Sequence, residues 1–417
     1  MTAETADVVV IGAGVSGLAC ARELSARGFG VVVVEARPAI GGRVRTLRTG
    51  LAGPVELGAQ VVHPAHCDAF DALLREARIT TAPMETAAGF TVVSEGAHHD
   101  STALAARVRP LPWAAEAGLY SSRPLSGTVD RALSGLVPPA RALARSWMEQ
   151  VVGHDPALLD LAETAASYHG RGRGGERVVV DGFDRVVHAL AGGLEIRTGS
   201  PVERLRRGAG GVEVATASAV IRARAAVVTP PPPVVAAGDL VLDPPLPRSK
   251  IEAAGVLASC DAVAVVLVTA VPAARSRSFL LVDPPGGLWT RRAGSRLTTG
   301  HVKGPSARLV RRPGWESDLI GSLSSHLGAV DDVLVMDWGR DPWSRGAYSV
   351  PVAGAGAASA TWAEPLGGTV FFAGEASAAP GLRGLVQGAL AGGRRAAAEV
   401  ALNLSGGPHD QRTGRDA

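Results

Sequence analysis

Lysine is nearly missing from this chain: of 42 basic residues only Lys250 and Lys303 are lysine, and the rest are arginine. Any chemistry that needs a titratable ammonium therefore has two places to find it. Cysteine is equally scarce. Cys20, Cys67 and Cys260 stand far apart, with no C-x-x-C pair and no histidine cluster at metal-ligand spacing. That excludes a disulfide scaffold, gives no metal site, and suits a reducing compartment; Cys20, inside the first helical pattern, reads as a small core residue. The longest apolar stretch, Ala253 to Pro272, is broken by Asp261 and ends in proline, so it reads as a buried strand and not a membrane span. The N-terminus enters an apolar run at once, without a basic segment before it, so no signal peptide is expected and the expected location is the cytoplasm. Forty-two basic against thirty-nine acidic residues leave a formal charge of +3, which gives no case for a nucleic-acid partner. No internal repeat is present. A hydrophobic share of 46% with 19% charged residues places the chain among soluble globular proteins.

What is present is concentrated at the start. Val8-Val9-Val10-Ile11 runs into Gly12-Ala13-Gly14-Val15-Ser16-Gly17, a helical pattern follows (Leu18, Ala19, Ala21, Leu24), and Val31 to Val34 ends on Glu35. Strand, glycine turn, helix, strand and acid form the context that makes G-x-G-x-x-G a dinucleotide-binding fingerprint. Gly12 allows the tight turn, Gly14 lets the backbone approach a pyrophosphate, and Gly17 lets helix and strand pack closely. The phosphates would lie at the helix N-terminus, on free N–H groups and the positive end of the dipole. Glu35, eighteen residues past Gly17, is placed to accept hydrogen bonds from a ribose. A carboxylate there disfavours a 2′-phosphate, leaving FAD or NAD.

Further motifs decide between them. Glu35-Ala36-Arg37 leads to Gly41-Gly42-Arg43 and then to Glu56-Leu57-Gly58-Ala59-Gln60-Val61-Val62-His63. Near the other end stand Asp337-Trp338-Gly339-Arg340-Asp341-Pro342-Trp343 through Tyr348-Ser349, then Phe371-Phe372-Ala373-Gly374-Glu375-Ala376, then Gly384-Leu385-Val386-Gln387-Gly388-Ala389. In these segments the chain resembles the flavin-containing amine oxidase family, which includes monoamine, polyamine and L-amino-acid oxidases. The resemblance is continuous to about residue 85 and again from about residue 335.

It implies an α/β (α+β) protein: a Rossmann-like FAD-binding domain with an interleaved substrate domain of mixed sheet and helices. The expected FAD-binding domain is 1–64, 176–233 and 333–404, the substrate domain 65–175 and 234–332, and 405–417 a disordered tail. Helices are expected at Phe70 to Ala77, Pro138 to Val152, Pro156 to Ala166 and Ala389 to Leu402. Strands are expected at Leu194 to Arg197, Val202 to Leu205, Val212 to Ala215, Ala225 to Val228, Ala262 to Thr269, Phe279 to Val282 and Leu297 to Val302. The loop Arg171 to Gly175 reads as solvent-facing.

By the resemblance, FAD contacts fall on Gly12, Gly14, Val15, Ser16, Gly17, Glu35, Ala36, Arg37, Gly42, Arg43, Gly58, Ala59, Gln60, Val202, Gly374, Glu375, Leu385 and Val386. Val202 would touch adenine, Glu375 the ribityl chain, and the N–H groups near Val386 the pyrimidine ring. The family's covalent linkage uses a cysteine where this chain has Ala347, so the FAD is expected to be non-covalent. Of the family's two aromatic cage rings Tyr348 matches one, and Leu385 stands at the other. The family's flavin-site lysine falls on or near Ala262, and neither lysine of the chain matches it in sequence. His63 is a candidate ligand contact or base, with a satisfied structural histidine the equal alternative. Arg383 reads as a salt-bridged surface arginine or as a partner for a substrate carboxylate. Trp113, Trp147 and Trp289 are pocket or core residues, and Asp181 and Asp341 read as structural.

The implied reaction is oxidation of a small amine or amino acid to an imine, with hydride passing to the flavin and O2 as final acceptor. The open alternatives are desaturation of a non-amine substrate, or a FAD-binding protein that has lost turnover. Oligomeric state is open, a homodimer included.

Overall fold

The computed structural model describes residues 3–50, 53–63, 67–84, 90–94, 97–100, 125–170, 176–208 and 210–405. Two large sheets organise these residues. The first has eight strands in the order Val241–Asp243, Val202–Gly208, Gly211–Thr216, Val220–Val228, Ala3–Ile11, Val31–Val34 and Glu195–Arg197, with Val370–Phe372 added beside Val220–Val228. Its centre is parallel: Val8 to Ile11 lie in register with Val31 to Val34 on one side and Ala225 to Val228 on the other. Continuous valine runs suit this position, because helices cover both faces of a parallel sheet. The helix Val15–Ala26 follows the first strand, and the last helix, Val386–Ser405, packs across it. Glycine makes that contact possible: a Cβ on Gly393 would lie 2.2 Å from the Ser16 carbonyl oxygen.

The second sheet has seven strands in the order Val330–Asp337, Ala262–Thr269, Leu297–Lys303, Gly287–Arg291, Arg277–Leu281, Phe90–Ser94 and Ala97–Asp100. One face packs Val263, Val265, Leu267 and Val302 against the helix Trp315–Leu327. The opposite face carries Val266, Val268 and Leu297, which meet Val55 and Leu57 beside the glycine motifs of the first sheet. Period-2 alternation therefore sends one set of side chains into a core and the other toward the nucleotide-binding segment.

Most expected elements form, with shifted ends. The helix expected from Pro156 begins instead at Leu161, because Asp160 Oδ1 accepts the Glu163 N–H at 2.9 Å and caps it there. The expected boundary at residue 333 falls inside the strand Val330–Asp337, which pairs with Ala262–Thr269 in the second sheet. The last helix runs on to Ser405; the expected tail and the Arg171 to Gly175 loop lie outside the described residues, as does Trp113. Cys20, Cys67 and Cys260 are all buried and free. No described helix is long and apolar enough to cross a membrane.

Lys250 is buried and structural. Its ammonium donates to the carbonyls of Thr361 (3.0 Å) and Trp362 (2.8 Å), at the C-terminal end of the helix Ala355–Ala363, and lies 3.9 Å from the Phe372 ring centroid. Burial pushes its pKa down to about 8. Replacement by methionine leaves both carbonyls without that donor. Lys250→Met is expected to lower stability by about 2 kcal/mol in urea unfolding at pH 7; an unchanged midpoint would contradict this role.

Candidate active site

The site is assembled from chain segments far apart in sequence. At its nucleotide end the first helix begins on Gly14, and its first hydrogen bond runs from the Leu18 N–H to the Gly14 oxygen. The N–H groups ahead of Leu18 have no partner within the helix, which leaves a donor set for an anion. Gly12 sits at φ +104°, and a Cβ on Gly17 would lie 1.9 Å from the Gly12 oxygen, so both positions demand glycine. Gly14 forms a bridge with Gly41, bringing the Gly41-Gly42-Arg43 turn alongside the helix start. Glu35 is buried at the end of its strand, with Oε2 accepting from the Ala13 N–H at 2.7 Å and Oε1 from the Arg37 N–H at 2.8 Å.

The Arg37 guanidinium does not point into this cradle. It pairs with Asp341 Oδ1 at 2.6 Å, and the same oxygen accepts from the Trp343 N–H, so Asp341 has the structural role expected of it. Val202 opens a strand paired with Gly211–Thr216 on the flank of the first sheet.

At the other end, Arg43 joins three segments. Its Nη1 donates to Glu375 Oε1 at 2.8 Å and to the Ala347 carbonyl at 3.2 Å. Glu375 is buried, and its oxygens also accept from Ser349 Oγ (3.1 Å) and the Gly384 N–H (2.9 Å). Tyr348 thus lies between two residues fixed on this network. Gly58 packs so tightly that a Cβ would stand 2.0 Å from the Arg43 oxygen and 3.2 Å from the Trp338 ring, while Trp338 Nε1 donates to the Leu57 carbonyl at 2.6 Å. The Ala59 N–H donates to the same Arg43 oxygen. Leu385 is buried just before the last helix, whose first residue is Val386.

These residues fit a dinucleotide with a flavin ring. Ser16 Oγ, at the helix start, and Gln387 Oε1, in the first turn of the last helix, are buried without a hydrogen-bond partner, at the two ends where a ligand would supply one.

Two lateral findings concern the second sheet. Lys303 stands directly opposite Ala262 in the antiparallel register, on the same face. Its ammonium lies 5.4 Å from the centroid of the Tyr348 ring. Ala262 itself carries no amine, and Lys303 is the lysine across the strand pair from it. Two residues away on that face is His301, buried, with Nε2 at 2.6 Å and Nδ1 at 3.1 Å from Gln60 Nε2. Sequence reasoning missed His301; the alternation Thr299, His301, Lys303 within a strand was the available signal.

Other candidates resolve differently. His63 lies with Nδ1 3.2 Å from Glu176 Oε1, and its carbonyl accepts from Gln387 Nε2 at 2.8 Å, which favours the structural reading. Arg383 is not on the surface: it is buried and pairs with Glu163 Oε2 at 2.6 Å. The Glu163 carboxylate offsets the cost of burying its charge. Trp289 is core, stacked on Phe279, and Trp147 packs in a cluster with Tyr348 and Cys260. Burial raises the thiol of Cys260 to about 11, with the Lys303 ammonium and then a Tyr348 hydrogen bond acting against it, which favours the protonated thiol.

A nucleotide cradle joined by one arginine to an aromatic face is the arrangement of a flavin-dependent oxidoreductase. The comparisons with known proteins agree. The chain matches the family model for flavin containing amine oxidoreductase over residues 15–401 and belongs to that family. It is 27% identical over a 418-residue alignment to Lysine-specific histone demethylase 1 homolog 2 of Arabidopsis thaliana, covering 89% of this chain and 55% of that protein. To the homolog 2 of Oryza sativa subsp. japonica it is 26% identical over 442 residues, covering 95% and 57%. The chain thus spans about half the length of these curated relatives. Among solved structures, cyclohexylamine oxidase from Brevibacterium oxydans IH-35A superposes with TM-score 0.78 at 21% identity, covering 96% of this chain and 99% of that one. Putrescine oxidase bound to putrescine gives TM-score 0.78 at 21% identity, covering 96% and 100%. These two show the fold.

Two predictions follow from the geometry. Gly17→Ala places a methyl against the Gly12 oxygen, and flavin retention on purification should drop at least tenfold; full retention would contradict the cradle. The second concerns pH. Burial, and then the Lys303 ammonium, push the pKa of His301 down to about 3 from 6.5. Between those values the unfolded chain binds a proton that the folded chain refuses, so stability falls as pH drops through this window. Glu56 acts oppositely from pH 7 down to 4.5, because burial raises its carboxyl to about 7. Comparing wild type with His301→Asn cancels the Glu56 effect: wild type should lose about 2 kcal/mol more than the variant between pH 7 and pH 5. Parallel stability curves would refute a buried neutral histidine.

Proposed function

We propose that this protein is a FAD-dependent oxidase of a small amine or amino acid, with non-covalent FAD and dioxygen as the final electron acceptor. The carrying observation is the Arg43 contact pair, which ties the glycine cradle to Glu375 and to the segment bearing Tyr348. Two functional units fit this reading, a FAD-binding unit around the first sheet and a substrate unit around the second.

In this reading Glu35 holds the ribose hydroxyls, and the N–H groups and Ser16 hydroxyl at the first helix hold the phosphates. Gly42, Gly58 and Ala59 let the backbone run along the ligand. Val202 lies toward adenine, and Glu375, oriented by Arg43 and Ser349, meets the ribityl hydroxyls. Val386, at the N-terminus of the last helix, directs N–H groups at the pyrimidine ring, where the dipole favours negative charge. Bound FAD supplies the hydride acceptor. Ala347, in place of a cysteine, offers no thiol for a covalent link.

The protein's share of the chemistry is to align an uncharged amine and exclude water. Tyr348 provides one aromatic wall and Leu385 an aliphatic one, which gives a less polar and less constrained cage than two rings. The ammonium of Lys303 disfavours a second positive charge beside it, so a substrate amine is held in its neutral, hydride-donating form. This placement supports amine oxidation over desaturation or loss of turnover, because an ammonium lies 5.4 Å from the Tyr348 ring centroid, across the strand pair from Ala262.

The test is anaerobic mixing of the yellow protein with a panel of amines and amino acids, followed by oxygen. Bleaching by at least one compound, and recovery of colour in air, is the expected result; a flavin that no amine bleaches would overturn the reading. Lys303→Met should slow bleaching or recovery at least tenfold while the protein still holds FAD. Unchanged rates would remove Lys303 from the mechanism.

A further inference from the structure

The face of the second sheet that meets the glycine motifs carries more than Lys303. Ala262, Ala264, Val266 and Val268 lie opposite Lys303, His301, Thr299 and Leu297 respectively, and paired residues in an antiparallel ladder share a face. The apolar end of this row, Val266, Val268 and Leu297, packs on Val55 and Leu57. The polar end continues the same contact through His301 to Gln60. His301 therefore reaches from the second sheet to the loop that carries Gln60, 241 positions away in sequence.

The Gln60 carboxamide presents its nitrogen, not its oxygen, to the imidazole. A carboxamide nitrogen can only donate, so the imidazole must accept, and only a neutral imidazole has a nitrogen free to do so. Burial and the neighbouring ammonium keep the ring neutral down to about pH 3. The one charged group acting on the ring, the Lys303 ammonium, works in the same direction as burial. With its nitrogen committed to His301, the planar carboxamide of Gln60 turns its oxygen the other way, as an acceptor for a ligand N–H.

We propose that His301 is a positioning residue of the flavin site, acting through the Gln60 carboxamide. The proposal rests on the reading above that the flavin runs along Gly58 to Gln60. His301 touches no reacting atom; it sets which atom of Gln60 faces the bound ring and holds the substrate sheet against the cofactor segment while doing so. A ring that merely filled space would leave the amide free to rotate.

The experiment is a double-mutant cycle read on bound FAD and not on turnover. Apoprotein of wild type, His301→Leu, Gln60→Leu and the double variant is titrated with FAD. The dissociation constant and the shape of the visible flavin bands are recorded for each. Each single variant should weaken FAD binding about threefold or more and alter the bands in the same way. The double variant should be no worse than the more affected single variant. His301→Asn, which keeps an acceptor at the position, should stay within about twofold of wild type with unaltered bands.

Additive losses, or flavin bands unchanged in both single variants, would overturn the proposal even where thermal stability falls. Should His301→Leu not fold, Gln60→Leu and His301→Asn carry the test: the first must disturb the bands and the second must not. Wild-type protein that binds FAD while the variants behave independently overturns this inference alone. Wild-type protein that takes up no FAD overturns the functional reading and this inference together.

Discussion

The rest of the structure depends on the guanidinium of Arg43. It is the point where the first motif of the chain meets the last, through Glu375 and the Ala347 carbonyl. A buried carboxylate such as Glu375 is costly unless its charge is paired and its lone pairs are filled. Here Arg43 supplies the charge, while Ser349 and the Gly384 N–H supply further donors. Those donors come from the Tyr348 segment and from the start of the last helix, so satisfying Glu375 also fixes both. Removing Arg43 would leave a buried carboxylate underpaired and loosen three segments at once.

Around that point, glycine sets the distances. Gly17 against Gly12, Gly58 against Arg43 and Gly393 against Ser16 are all contacts that a methyl group would forbid. They draw the first helix, the motif turn and the last helix close enough for one elongated ligand to touch them all. The second sheet then closes over the motif turn. Its apolar residues seal against Val55 and Leu57, and its polar residues, His301 and Lys303, reach Gln60 and Tyr348. The same strand alternation that builds a core on one face thus builds the wall of a site on the other.

Much of this was legible in the sequence, for a physical reason. A strand, a glycine turn and an acid lie within one short stretch, so local spacing alone fixes their geometry, and the Ala262–Thr269 strand is a continuous valine-rich run. What was not legible depends on register. Lys303 is forty-one residues from Ala262 along the chain and directly across from it in the sheet, a relation that no local pattern encodes. His301 was missed for the same reason. Arg383 reads in sequence as a salt-bridged surface arginine or a partner for a substrate carboxylate; its actual partner Glu163 arrives from a helix more than two hundred residues earlier. Lys250 does not match the flavin-site position in sequence, and its ammonium is engaged by the Trp362 carbonyl and the Phe372 ring.

The measurement that tests the account most directly is FAD uptake by apoprotein, compared between wild type and Arg43→Met. On the proposed function, about one FAD per wild-type chain is expected, released intact by acid. In the Arg43→Met protein, affinity should be weaker by at least tenfold. Equal uptake by both proteins, or a wild type that cannot be loaded, would contradict the claim that Arg43 joins a flavin cradle to the catalytic face.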